Sequence, residues 1–275
     1  MKVKILGTAA SEGFPALFCE CEYCKKARIL KGRNLRTRAS TLVDDSLLID
    51  FSADTYAHTL MLGLDLTKIT DLIITHSHPD HLYTADIAAA VPPMAMYDRE
   101  RFLRVYGNDA VERKFYEIFD KVKNYKKVCG FTRFHDFETV TVGKYNVTAL
   151  PAAHVKSEDC FLYVIQDGSK TLLYGHDTGE IPEKTWQAFA KYRFDCVILD
   201  CTCGLLKENR FPSHMNFSMN LEVKERMLIM GCANENTKFV ATHFVHVAAP
   251  FQDHYEKVMG EKGFIAAYDG IELNL

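Results

Sequence analysis

The chain has 275 residues, 48% hydrophobic and 25% charged, a balance that allows a substantial core and excludes a disordered polar chain. Its 33 basic and 36 acidic residues leave a formal net charge of -3, which argues against a protein whose main task is to coat nucleic acid or an anionic membrane. No run approaches the roughly 20 apolar residues that span a bilayer, and the opening "MKVKILGTAASEG" lacks the apolar core of a secretory signal, so a cytoplasmic protein with no membrane partner is expected.

In chain order, "VKILGTAAS" reads as a short strand ending in a small-residue turn, and "STLVDDSLLIDFS" as a β-hairpin around Asp44 and Asp45. "DLIITHSH" reads as a buried strand carrying histidines at its C-terminal end, followed by "LYTADIAAAV" with helical composition. After the Pro92-Pro93 break, "MAMY" is expected as a strand, and residues 98–128 as a helical insertion with apolar residues at helical spacing, among them Phe102, Val105, Phe115, Ile118 and Phe119. Its tyrosines would pack in a core or form a lid over substrate.

The second half alternates again. "ETVTVGKYNVTALPAAH" and "CFLYVIQDGSKTLLYGHDTG", with a turn at Asp167-Gly168, lead to a helix around Trp186 and the strand "FDCVILDCTCG". A helix near 218–234, the strand "TKFVATHF", a final helix and "AAYDGIELNL" complete the chain. Strands mixed with helices, with no Gly-, Ser- or Pro-rich linker, predict one α/β domain over residues 1–275.

The chemistry concentrates in "THSHPDH", residues 75–81. His76 and His78 can turn to one centre and Asp80 and His81 to a second a few ångströms away, the spacing of a binuclear metal site. The bland alternative is a polar loop with backbone-bonded histidines, but four potential ligands within six residues at one strand end weigh against it. Further ligands should come from other strand ends, where His154, Asp177 and His243 each follow an apolar run.

Nine cysteines, an odd number without an export signal, suggest metal binding rather than disulfides. Cys19, Cys21 and Cys24 in "FCECEYC" lie within six residues, and tetrahedral zinc would need one more Cys or His. A zinc-binding loop is expected over residues 13–30. "KKARILKGRNLRTR", residues 25–38, holds seven basic residues and no acidic one; Arg36 or Arg38 could touch a substrate phosphate.

The order His-x-His-x-Asp-His followed by His, Asp and His resembles the metallo-β-lactamase superfamily over most of the chain. That resemblance implies a four-layer αβ/βα sandwich in which His76, His78 and His154 hold one metal, Asp80, His81 and His243 the other, and Asp177 bridges, with Asp80 also counted as catalytic. It makes Asp50, ending "SLLID", a carboxylate that orients the metal loop from behind the ligands. The N-terminal C-x-C-x2-C is similar to the phosphoribosyl 1,2-cyclic phosphate phosphodiesterases of the carbon-phosphorus lyase pathway and their relatives. By that likeness His246 is the fourth ligand of a structural zinc, with Cys201 and Cys203 as competing candidates, and His214 donates a proton to the leaving oxygen. The family's glycine-rich continuation is replaced here by "LYTADI".

The expectation is therefore a binuclear hydrolase in which a hydroxide shared by two Zn or Mn ions, with Fe also compatible, attacks a small cyclic phosphodiester like phosphoribosyl cyclic phosphate, with cyclic nucleotides and other small phosphodiesters left open. The alternatives are a tRNA 3'-end endonuclease-like nuclease, set back by the acidic balance, and a non-hydrolytic carrier or oxidoreductase related to quinone-cofactor biosynthesis proteins. A small phosphodiester is the expected partner rather than nucleic acid, and a homodimer is left open. His176 precedes Asp177 and points to the opposite face if the segment is extended, and His58, His135 and His254 have no motif neighbours, so all four are left out of the site.

Overall fold

A computed structural model describes residues 1–275. One sheet holds β1 (Lys2–Gly7), β2 (Ser40–Val43), β3 (Leu47–Ile49), β4 (Asp71–Ile73), β5 (Leu103–Gly107), β6 (Cys129–Arg133) and β14 (Ile271–Asn274), in the order β14-β1-β2-β3-β4-β5-β6. The other holds β7 (Thr139–Val142), β8 (Tyr145–Pro151), β9 (Phe161–Gln166), β10 (Thr171–Gly175), β11 (Cys196–Asp200), β12 (Lys238–Thr242) and β13 (Phe264–Ala266), in the order β13-β12-β11-β10-β9-β8-β7. Each sheet is antiparallel on one side and parallel on the other: β3 to β6 run parallel in the first, β10 to β13 in the second.

Strand periodicity explains the layers. In β10, Leu172 and Tyr174 face the core between the sheets while Leu173 faces outward; in β11, Cys196 and Ile198 face in while Val197 and Leu199 face out. Both faces are covered, so these strands read as unbroken apolar runs rather than alternating ones. Outside the second sheet lie α5 (Glu183–Phe189), α6 (Phe217–Ile229) and α7 (Gln252–Gly260), contributing Trp186, Phe189, Met227, Tyr255 and Met259 to one core. Outside the first lie α2 (Thr55–Leu62), α3 (Thr84–Ile87) and α4 (Asp109–Phe119), with Ile87, Val111, Phe115 and Phe119 packed on Leu48, Leu72 and Val105. The result is the four-layer αβ/βα sandwich expected. No helix is long and apolar enough to cross a membrane.

Two local expectations fail. Residues 98–128 are not helical throughout, because Leu103–Gly107 is β5, paired on both sides by β4 and β6. Leu103 and Val105 face the helices and Tyr106 the inter-sheet core, a period of two that in so short a window also satisfies helical spacing. Tyr106 and Tyr125 are buried in the core rather than forming a lid. "MAMY" forms no strand, and Met94 and Met96 are exposed. Within the expected zinc loop, Glu22–Leu30 forms α1, whose N-terminal cap is the Cys21 side chain accepting from Cys24 N–H.

Arg36 does not face a substrate, which corrects the expectation from the basic run. Only 3% exposed, it donates from Nε to Pro250 O (3.2 Å), from Nη1 to Thr8 Oγ1 (2.8 Å) and Ala267 O (2.6 Å), and from Nη2 to Gln252 Oε1 (2.7 Å). Its backbone pairs with Phe14, so it fastens the N-terminal loop to the end of the chain. Arg36→Met leaves those acceptors and the nearby half-buried Asp269 without their cation; chemical denaturation should show a loss of about 3 kcal/mol. A loss below about 0.5 kcal/mol, the size of a surface change, would contradict this role.

Candidate metal centres

The ligand types expected from the sequence converge at one edge of the sandwich because each follows the C-terminal end of a strand. Asp50 follows β3, the loop Thr75–His81 follows β4, His154 follows β8, Asp177 follows β10 and His243 follows β12. Asp50, Asp177 and His243 take positive φ values of 60°, 49° and 64°. Left-handed backbone is costly for residues with a side chain, and its presence at three strand exits fits a site where strain aims side chains inward.

Beside a group of Asp177, Asp200, His214 and His243, two overlapping groups of the expected ligands result: His76, His78, His154 and Asp177, and Asp80, His81, Asp177 and His243, with potential ligand atoms in each group within 4.8 Å of one another. Asp177 belongs to both. His81 Nε2 lies 3.1 Å from Asp177 Oδ2 and 3.4 Å from Asp80 Oδ2, and His243 Nε2 lies 3.1 Å from Asp177 Oδ1. These contacts lack hydrogen-bond geometry, so the buried Nε2 atoms of His76, His81 and His243 and Oδ1 of Asp177 have no hydrogen-bond partner.

A second layer of groups sets which nitrogen faces the centre. Asp50 accepts from Thr75 N–H (2.9 Å), Thr75 Oγ1 (3.0 Å), His81 Nδ1 (2.8 Å) and Tyr174 OH (3.2 Å). His76 Nδ1 bonds Thr75 Oγ1 (3.0 Å), His154 Nδ1 donates to Ser213 O (3.2 Å) and His243 Nδ1 bonds Thr202 Oγ1 (2.9 Å). Holding Nδ1 in this way turns Nε2 inward and fixes the tautomer.

The electrostatics match a site built around positive charge. Burial penalises ionised Asp80 and Asp177, but the surrounding imidazoles hold both well below the usual carboxylate range. Burial alone would depress His81, yet Asp177, Asp80 and Asp50 raise it, while His76 is driven down by burial and by the charge on His81.

His214 lies beside this centre. Its Nδ1 is 2.6 Å from Asp200 Oδ2, and Asp200 also accepts from Thr202 N–H (2.7 Å) and Thr202 Oγ1 (2.7 Å). Burial pulls the His214 imidazole down, but the Asp200 carboxylate outweighs it and raises the pKa to about 9. His214 lines a cavity of about 300 Å³ together with His78, Asp80, His154, Asp177 and His243. Asp200 is not among the residues expected from the sequence, although it ends the buried strand β11 much as Asp50 follows β3. His176, set aside on sequence, stacks on Tyr174 at 4.2 Å behind the cluster and belongs to neither group.

Cys19, Cys21, Cys24 and His246 form a separate group with ligand atoms within 4.8 Å. Glu12 Oε1 accepts from His246 Nδ1 at 2.8 Å, leaving Nε2 as the free nitrogen. No sequence signal marked Glu12. Cys201 and Cys203 lie apart, buried, with Cys203 Sγ bonded to Asn209 Oδ1 at 3.1 Å. Arg38, the other arginine expected at substrate, is engaged by Asp54 Oδ1 (3.0 Å) and Ser11 O (2.8 Å) and does not line the cavity.

Asp50→Ala removes the acceptor that orients His81 and Thr75 without deleting a ligand. Its expected effect is a loss of about 10- to 100-fold in affinity for divalent ions, read by competition with a chelator; unchanged affinity would remove Asp50 from the orienting role.

Three comparisons bear on identity. Ribonuclease Z of Methanothermobacter thermautotrophicus is 28% identical over 131 residues, 45% of this chain and 40% of that protein. An octanoyltransferase of Porphyromonas gingivalis is 27% identical over 128 residues, 44% of this chain. The chain spans only 24% and 40% of the lengths of these two curated relatives. Among solved structures, a diphosphatase from the PhnP family has a TM-score of 0.73 at 22% identity, covering 100% of this chain and 97% of that one, which shows a shared fold. A family model described as a beta-lactamase superfamily domain matches residues 46–244. With that match extending over most of its length, from the first hairpin through His243, the chain belongs to the beta-lactamase superfamily and has the metallo-β-lactamase fold.

Proposed function

We propose that the chain is a binuclear metal-dependent hydrolase of small phosphodiesters, cyclic ones included. The observation that carries this reading is the convergence of three buried imidazole nitrogens and one carboxylate oxygen with no hydrogen-bond partner. Buried polar atoms nearly always find partners, and His/Asp sets at strand ends are the donors that divalent ions take. The family itself binds divalent metals, typically zinc.

His76, His78, His154 and Asp177 would hold one ion, and Asp80, His81, His243 and Asp177 the other, with Zn, Mn or Fe all compatible. Cys19, Cys21, Cys24 and His246 would hold a structural zinc, the softer donor set favouring that ion. Bound divalent ions supply Lewis-acid charge to phosphoryl oxygens and acidify water.

The chain's own groups supply the rest. Asp200 holds His214 by Nδ1, so Nε2 is the nitrogen available to donate a proton to the leaving alkoxide. Thr202 joins His214, His243 and Asp200, and thereby keeps the proton donor and one ligand in register. Asp80, which lines the cavity, contributes its negative charge. The likeness to a PhnP-family diphosphatase supports phosphoryl chemistry. A ribonuclease reading draws on the 28% match to ribonuclease Z; the net charge of -3 weighs against it, and filter binding with tRNA separates the two.

Elemental analysis of protein prepared without added metal, with turnover of bis(p-nitrophenyl) phosphate, tests the reading. The expected content is about three ions per chain with turnover; a single zinc and no turnover after Mn²⁺ is added would sink it. Asp177→Ala should reduce turnover to background and release one or both ions of the His/Asp centre. Cys21→Ser should instead lose the structural zinc and lower the melting temperature while the His/Asp ions are retained; identical loss of folding in both variants would undo the division into two kinds of site.

A further inference from the structure

We infer that the cavity selects phosphodiesters whose remaining part is uncharged and rejects those carrying a second phosphate. The inference rests on the phosphodiesterase reading, but concerns the cavity wall rather than the metal ligands. None of the fourteen residues lining the cavity is Lys or Arg. Apart from the His/Asp centre and His214, its one ionisable wall group is Glu12.

Glu12 is held in place. Its Oε1 accepts from both His246 N–H (3.0 Å) and His246 Nδ1 (2.8 Å), whereas Oε2 has only a long contact with Ser11 Oγ at 3.5 Å. One carboxylate oxygen therefore stays available at the wall. Neither Arg36 nor Arg38 of the basic run lines the cavity: Arg36 is buried among four acceptors, and Arg38 is paired with Asp54 and donates to Ser11 O. Lys156 and Arg210, neighbours in sequence of Val155 and Phe211, are exposed and lie outside the lining.

Away from the His/Asp centre and His214, where the reacting diester would sit, a second, dianionic phosphate thus meets no Lys or Arg and one fixed carboxylate. A hydroxyl has the opposite experience, since it can donate to Oε2. Phe211, 39% exposed, and Val155 add apolar surface. The fitting substrate carries its negative charge on the reacting diester alone, with a neutral, hydroxyl-bearing arm. Rejection of the wrong charge is how such a wall produces specificity.

The test compares cytidine 2′,3′-cyclic phosphate with its 5′-phosphorylated form, using metal-replete full-length protein. Two readouts are taken: kcat/KM for both compounds, and calorimetric Kd for cytidine 3′-phosphate and cytidine 3′,5′-bisphosphate. In the wild type the extra phosphate should lower both kcat/KM and affinity by about tenfold or more. Glu12→Gln, whose amide oxygen can still accept from His246, should narrow both ratios by about threefold or more, and Glu12→Lys should shift them further toward the phosphorylated compound. Zinc content of each variant shows whether the cysteine centre is intact; if Glu12→Lys loses zinc, Glu12→Gln decides. A wild type that favours the phosphorylated compounds, or ratios unmoved by Glu12→Gln, overturns the inference. Discrimination in Kd without turnover of either compound upholds the wall and overturns the phosphodiesterase reading, while turnover without discrimination does the reverse.

Discussion

The carboxylate of Asp50 is fully buried and holds the centre together from behind. It accepts from Thr75 and His81 on the loop after β4, and from Tyr174 on β10 of the opposite sheet. A buried charge without such partners would cost several kcal/mol, so the histidine-bearing loop after β4, the first sheet and the second sheet are constrained to meet at this point. The partners it demands are also the ones that set which nitrogen of His81 faces inward.

From there the architecture spreads the ligands without any one loop having to carry them all. Two sheets packed face to face bring the C-terminal ends of β3, β4, β8, β10, β11 and β12 to one edge. The rigidity of doubly covered strands positions short side chains, and the left-handed turns at Asp50, Asp177 and His243 complete their aim. Asp177 joins both halves of the cluster, while Asp200 and Thr202 extend it to His214.

The end of β12 links the two kinds of centre. His243 belongs to the His/Asp cluster and His246, three residues later, to the cysteines. Between them Phe244 is clamped by the Arg36 guanidinium at 4.8 Å and by the Tyr255 ring at 4.7 Å, and its N–H donates to Thr8 O. Glu12 bonds His246 and also forms part of the cavity wall, so the cysteine-bearing N-terminal loop shapes the space in which substrate would sit.

Most strands and the density of ligand types were legible along the chain, because doubly buried strands leave apolar runs and the residues after them carry the chemistry. "THSHPDH", His154, Asp177, His243 and the three cysteines stand out on those terms. β5 was hidden because five residues between charged segments satisfy both strand and helix periods, and pairing with β4 and β6 decided between them. The basic run misled about Arg36 because charge in a sequence has no direction; burial against Thr8, Ala267 and Gln252 comes from contacts more than 200 residues apart in two of those three cases. Asp200 and Glu12 acquire their roles only through neighbours distant in sequence or across a turn, His214 and His246. The sequence by itself determined which residues can ligate and that they follow strands. The tertiary structure alone decided which atoms converge, which nitrogen each imidazole turns inward and which charges reach the cavity, because those depend on how two sheets and their loops pack in three dimensions.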